Sequence, residues 1–119
     1  AISNSQSNLI LAGDSHNSWL SNLYDKNEKF IGIEIGAPSI TSPNFVDTFG
    51  DFTEALDKSF VDSNRDLIWT NGKNKGYVEL NIYSEYVDVK FNFVSTVKSK
   101  NYKSLIPITF KVKHSEAIT

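Results

Sequence analysis

The clearest hydrophobic pattern lies in the second half of the chain. From Tyr77 to Tyr83 apolar and polar residues alternate, with Val78, Leu80 and Ile82 on one side. Val87, Val89, Phe91 and Phe93 alternate again, against Asp88, Lys90 and Asn92. Period-two alternation is the mark of a half-buried strand, and Ser84-Glu85 between the two runs predicts a tight turn and an antiparallel hairpin. Ile108, Phe110 and Val112 predict a last strand, with Pro107 at its start where a missing N–H is tolerated. Asp66 to Thr70 predicts a short strand before the glycine turn Asn71-Gly72-Lys73-Asn74-Lys75-Gly76. Upstream, the unbroken apolar run Leu9 to Ala12 predicts a strand buried on both faces, ending at Gly13-Asp14. Ser15 to Tyr24 fits a short helix or a strand, and Asp25 to Lys29 is a polar turn. Phe30 to Gly36 alternates, with Ile31, Ile33 and Ile35 on one face. Gly32 and Gly36 on the other face predict close approach by another backbone. Ala37 to Asn44 contains Pro38 and Pro43 and reads as loop. Asp51 to Ser63 is the best helix, with Phe52, Ala55, Leu56 and Phe60 at helical spacing and Asp51 and Glu54 suited to an N-cap and its partner.

These elements predict an α+β, mostly β fold of about five to seven strands with one clear helix over 51–63. The 119 residues suit one small domain or a fragment of a larger one. An aromatic content of 13% is too high for a disordered chain. The net charge of −2, with lysines scattered rather than massed, argues against a nucleic-acid patch. No apolar run approaches a membrane span. The absence of cysteine excludes a disulfide framework, a thiolate metal site and a cysteine nucleophile. The absence of methionine, with an opening on Ala1-Ile2-Ser3, gives the expectation of a processed or excised piece.

Candidate chemistry is sparse. Of the two histidines, His114 follows the last strand and reads as a solvated tail residue. His16 follows a strand through Gly13-Asp14-Ser15, and Asp14 and His16 lie two apart, so both can lean to one side of an extended loop. Asn17 adds an amide oxygen. Carboxylate, imidazole and amide carbonyl suit harder or borderline metals. The same residues equally fit a turn capped by Asp14 with His16 solvated. Ser15, Ser18 and Ser42 lack the G-x-S-x-G elbow of a nucleophile. The 71–76 turn lacks the following helix that a phosphate loop needs. Asp47, Asp51, Asp57, Asp62 and Asp66 read as a solvated face or caps of the helix. Trp69 and Tyr77 flank the glycine turn, as a stacking platform or as packing residues.

Three segments together resemble a known family. Leu11-Ala12-Gly13-Asp14-Ser15-His16-Asn17-Ser18-Trp19 resembles the last metal-site motif of PhoD-like alkaline phosphatases, within the calcineurin-like metallophosphoesterases. Residues 31–43, Ile-Gly-Ile-Glu-Ile-Gly-Ala-Pro-Ser-Ile-Thr-Ser-Pro, are similar to that family's segment ending P-S-V/I-T-S-P. Gly76-Tyr77-Val78-Glu79-Leu80 and Phe91 to Val97 are similar to its C-terminal hairpin, with Ser95 where Asp is common. The family's earlier metal-site motifs come upstream and are not found in this sequence.

The resemblance implies the C-terminal part of a metallophosphoesterase-like α/β sandwich. It implies metal-dependent phosphoester hydrolysis by a longer protein, with this chain inactive alone. Iron and calcium are the metals implied by PhoD. His16 is implied as a metal or phosphate-facing group, Asp14 and Asn17 as further metal-site residues. The implied partners are a phosphoester substrate and the upstream part of the same polypeptide, and the implied location is secreted or periplasmic. Strands that lack their usual cover lead to an expectation of self-association in the isolated chain. The rival expectation is a stand-alone mostly-β binding module with Trp69, Tyr77 and Tyr83 as its ligand face.

Overall fold

Side-chain alternation decides most of the strands in the computed structural model, which describes residues 8–119. Four strands form one mixed sheet: β1 (Asn8–Ala12), β2 (Ser18–Tyr24), β3 (Phe30–Gly36) and β4 (Leu67–Asn71), in the order β1-β3-β2-β4. β1 runs parallel to β3, and β2 runs antiparallel to both β3 and β4. A second, antiparallel sheet holds β5 (Lys75–Ile82), β6 (Tyr86–Val94) and β7 (Ile108–Lys113) in sequence order. Between β3 and β4 lie a short helix α1 (Phe45–Phe49), a 3-10 turn over Gly50–Phe52 and the longer helix α2 (Thr53–Ser63). The fold is α+β and mostly β.

The core fills the space between the two sheets. Leu20, Ile33 and Ile35 meet Val87, Val89, Phe91, Phe93 and Val112 there. Trp69 of β4 joins them, its ring 4.7 Å from Phe91 and 5.4 Å from Phe110. Burying a side chain such as Phe91 stabilises the fold by about 1.5–3 kcal/mol. Because β2 alternates, Leu20 faces this core while Trp19 faces the other side of the sheet, against Phe45 and Phe60 of the two helices. That alternation is why residues 18–24 form a strand and not a helix.

The glycines of β3 are there for the neighbours they admit. A Cβ at Gly32 would collide with the carbonyl oxygen of Asn8, and one at Gly36 with the side chain of Trp19. Asn22 pins the chain's end: its amide donates to the Ile118 carbonyl and accepts from the Ile118 N–H, both at 2.9 Å.

Three expectations need correction. β1 is not buried on both faces: Leu11 is 63% exposed. β1 is an edge strand; Leu9 packs against the core, while Leu11 and Ala12 at the strand's far end are exposed. The helix does not start on an Asp51 cap. Asp51 lies in the 3-10 turn, α2 begins at Thr53 without a side-chain cap, and Glu54 pairs with Lys73 at 2.6 Å. Capping occurs earlier, where the Asn44 N–H donates to Asp47 Oδ2 at 3.0 Å at the start of α1. Ile82 is not buried. It is 71% exposed at the end of β5, an edge strand whose inner face loses cover towards the hairpin turn.

Candidate functional site

The turn after β1 is closed by the His16 N–H donating to the Gly13 carbonyl at 3.3 Å. His16 itself adopts the left-handed region, with φ 62°. A non-glycine residue there costs of order 1–3 kcal/mol unless its surroundings hold it. The surroundings do hold it, through the 37–45 loop. The Ala37 N–H donates to the Ala12 carbonyl at 2.7 Å, and the Ser39 N–H to the His16 carbonyl at 3.1 Å. The Phe45 N–H donates to Asn17 Oδ1 at 3.0 Å. His16 Nδ1 lies 2.8 Å from the Pro43 carbonyl oxygen.

That last contact fixes the imidazole's chemistry. A carbonyl oxygen can only accept, so Nδ1 carries the proton. Nε2 of the neutral ring is then left with its lone pair, the arrangement by which backbone carbonyls orient metal-binding histidines. Ser15 Oγ accepts from the indole N–H of Trp19 at 2.7 Å, so Ser15 serves the turn and its ring neighbour.

The three sequence-derived site residues fare differently. His16 is partly exposed and presents one ring nitrogen. Asp14 is exposed in the same turn. Asn17 is 1% exposed, and both ends of its amide are engaged: Oδ1 caps the first N–H of α1, and Nδ2 donates to the Ser15 carbonyl at 2.6 Å. Its chemistry here is that of a bracket between the turn and α1. Asp14 and His16 carry donor types that metals accept, a carboxylate and an imidazole nitrogen. Among the described residues no group of three or more His, Cys, Asp or Glu could hold a metal by itself. A fixed metal site needs three or four protein ligands.

An open groove of about 750 Å³ begins beside this turn, lined by Asp14, Ser15, Trp19, Glu34 and Phe60. It lies over the face of the first sheet that Trp19 occupies, alongside α2.

Residues that the sequence did not connect with the His16 turn hold the 37–45 loop from its far side. Lys75 Nζ donates to the Ser42 carbonyl at 2.6 Å, to Asp47 Oδ2 at 2.8 Å and lies 3.3 Å from Asn44 Oδ1. The Lys75 ammonium, followed by the Asn44 N–H, holds the Asp47 carboxyl below the usual aspartate range. Ser39 donates through Oγ to the Ser42 carbonyl at 2.6 Å, and the Gly76 N–H donates to the Ser39 carbonyl at 3.1 Å. The P-S-I-T-S-P loop is thus a bridge from the His16 turn to the start of β5. One signal for it was legible: Asn44 three residues before Asp47, directly after a proline, is a helix-start pattern.

The remaining candidates are spread over the surface or built into the core. Trp69 is part of the core, Tyr77 faces outward from β5, and Tyr83 sits in the hairpin turn stacked near Tyr86. Six residues of extended strand, about 20 Å, separate the two tyrosines. Asp57 is not a solvated face residue. It accepts from the Gly72 N–H at 2.9 Å, and burial pushes its carboxyl above the usual range. His114 is exposed beside the Tyr83 carbonyl.

Residues 1–91 match the family described as PhoD-like phosphatase. The chain is also similar to a solved structure titled "Structure of PhoD", at 21% identity and a TM-score of 0.66. The likeness covers 88% of this chain but 20% of that one. No curated protein matches the sequence.

Proposed function

The chain belongs to the PhoD-like phosphatase family, and on that premise we propose that it supplies the last metal-site segment of an enzyme hydrolysing phosphoesters. The observation that carries this reading is the Nδ1 contact of His16 with the Pro43 carbonyl, which leaves Nε2 available at the family's motif. Asp14 and His16 are the residues that would hold metal, and Asn17 positions their turn. Bound metal ions, iron and calcium being those implied by PhoD, would polarise phosphate oxygens and lower the pKa of a bound water. His16 then contributes a neutral nitrogen held at a fixed angle, and Asp14 contributes negative charge to offset the cations.

The chain spans about a fifth of the length of the PhoD structure it resembles. The remaining ligands would come from the upstream part of the same polypeptide, seated along the groove beside Asp14 and Trp19. Without them the 119 residues should show no phosphatase activity, and the open edge of β1 should pair copies of the chain at high concentration. The family implies a secreted or periplasmic protein; among the described residues no helix is long and apolar enough to cross a membrane.

The test is metal-stimulated hydrolysis of a chromogenic phosphodiester by the gene product purified intact from its source. His16→Ala should lower the rate by about 100-fold or more, since even residues that merely orient ligands are worth ~10–100-fold. An unchanged rate would overturn the reading.

A further inference from the structure

Lys75 stands out as a cation with little access to water and no place in the chemistry described so far. Its side chain is 10% exposed, on the first residue of β5. An ammonium so placed needs its donors satisfied by nearby oxygens. It meets the Ser42 carbonyl, Asn44 Oδ1 and Asp47 Oδ2, all belonging to the loop and cap that follow β3. The Ser42 carbonyl directly precedes Pro43, whose carbonyl faces His16 Nδ1. Ser42 and Asn44 thus flank Pro43 on either side, and both are held by one cation from the other sheet.

We infer that Lys75 is a positioning residue for His16, acting through the 42–44 segment to keep the Pro43 carbonyl against Nδ1 and Nε2 free. The inference rests on the reading of His16 as the ligand, but its content is a proton position, which can be measured without any activity. Of the other cations nearby, Lys98 acts on Asp47 through its charge alone, without a hydrogen bond. Lys73, two residues away, is paired with Glu54, and Asp47 is the carboxylate within reach of Lys75. The Pro43 carbonyl shares its rigid peptide plane with the Asn44 N–H, and that N–H donates to Asp47 Oδ2, the oxygen Lys75 also holds, so the pair fixes the carbonyl's direction. The Ser39 Oγ bond to the Ser42 carbonyl shares that oxygen with Lys75 but carries no charge.

The experiment is long-range proton–nitrogen NMR of the His16 ring in the 119-residue chain, at a pH where the ring is neutral. Wild type should hold the proton on Nδ1. Lys75→Met keeps the aliphatic stem and removes the ammonium. It should shift the ratio of Nδ1–H to Nε2–H by about tenfold towards Nε2–H, the scale of one charge-assisted hydrogen bond. Lys75→Arg, which can still donate to Ser42 and Asp47, should restore the wild-type ratio; rescue by arginine separates positioning from a general loss of structure. If Lys75→Met does not fold, Asp47→Asn leaves the ammonium and removes its anion, and should shift the ratio in the same direction by less. An unchanged Nδ1–H ring in a folded Lys75→Met or Asp47→Asn chain overturns the inference. Loss of His16-dependent hydrolysis is a separate readout, so failure of the phosphatase reading and failure of this one are distinguishable.

Discussion

Two regions of the molecule are held by different forces. The β5–β6–β7 sheet is anchored by apolar contact: Val87, Val89, Phe91 and Phe93 alternate into a core closed by Leu20, Ile33 and Ile35. The His16 turn is anchored almost wholly by polar contact, through Pro43, Ser39, Phe45 and Ala37 and, behind them, Lys75. Apolar contact is strong but not directional. Hydrogen bonds add little net stability, yet they fix angles, and leaving one unmade is expensive. A segment that must present one nitrogen in one direction is therefore built from the second kind of force. The contrast predicts that core substitutions change stability and leave the ring's proton in place, whereas substitutions around the His16 turn move the proton as well.

The largest effect should come from the core. Phe91→Ala should lower unfolding free energy by ~3–5 kcal/mol, read as a urea midpoint shift. His16 in the fraction that stays folded should keep its wild-type tautomer. A loss below ~1 kcal/mol would mean that the sheets are not packed as described. Next is Asn17→Ala, which strands the Phe45 N–H at the start of α1. A buried unpaired donor costs ~1–3 kcal/mol, and here the His16 tautomer should also loosen.

Smaller still are two carboxylates that should titrate in opposite senses. Asp47 is held below its ordinary value in the fold, so its contribution is present above the ordinary carboxylate range and is lost as pH falls through the depressed value. Asp57 is raised, mainly by burial, so its ionised form is penalised and stability rises as pH falls through its raised value. Asp57→Asn should therefore be neutral or stabilising at neutral pH, by less than about 1 kcal/mol, with no gain left at acid pH. Asp47→Asn should instead flatten the acid loss. Urea midpoints at about pH 7, pH 4 and pH 2.5 would show both, Asp57 in the upper interval and Asp47 in the lower; parallel behaviour of the two variants would refute the assignment. The smallest effect is expected at the exposed Lys58–Asp62 pair of α2, where Lys58→Ala should leave the urea midpoint in place.

The difference between the two regions also explains what could be read from the sequence. Apolar alternation is local and periodic, so β5, β6, β7 and β3 were legible, and so was the close backbone approach at Gly32; at Gly36 the room is taken by the Trp19 side chain instead. β1 misled because four apolar residues in a row signal burial without saying which strand lies at an edge. α1 was missed because five residues after Pro43-Asn44 carry no helical period. For the candidate site, the motif around His16 was legible, but its support was not. Pro43 lies 27 residues from His16, and Lys75 lies 33 from Ser42. Hydrogen bonds to backbone carbonyls leave no side-chain signature, so only the fold reveals them. Bordering a glycine turn, Trp69 could be read as a platform or as a packing residue, because the sequence does not say which face of β4 it takes. β4 turns it inward against Phe91 and Phe110.

The measurement that tests this account most directly is the tautomer of His16 in the unmodified chain. The ring nitrogens are distinguished by their long-range couplings above the pH at which the imidazole loses its charge. The account predicts a proton held on Nδ1 and a bare Nε2, as the Pro43 contact requires. A ring with its proton mainly on Nε2 would contradict it, because the nitrogen offered to a metal would then be the one already turned towards Pro43.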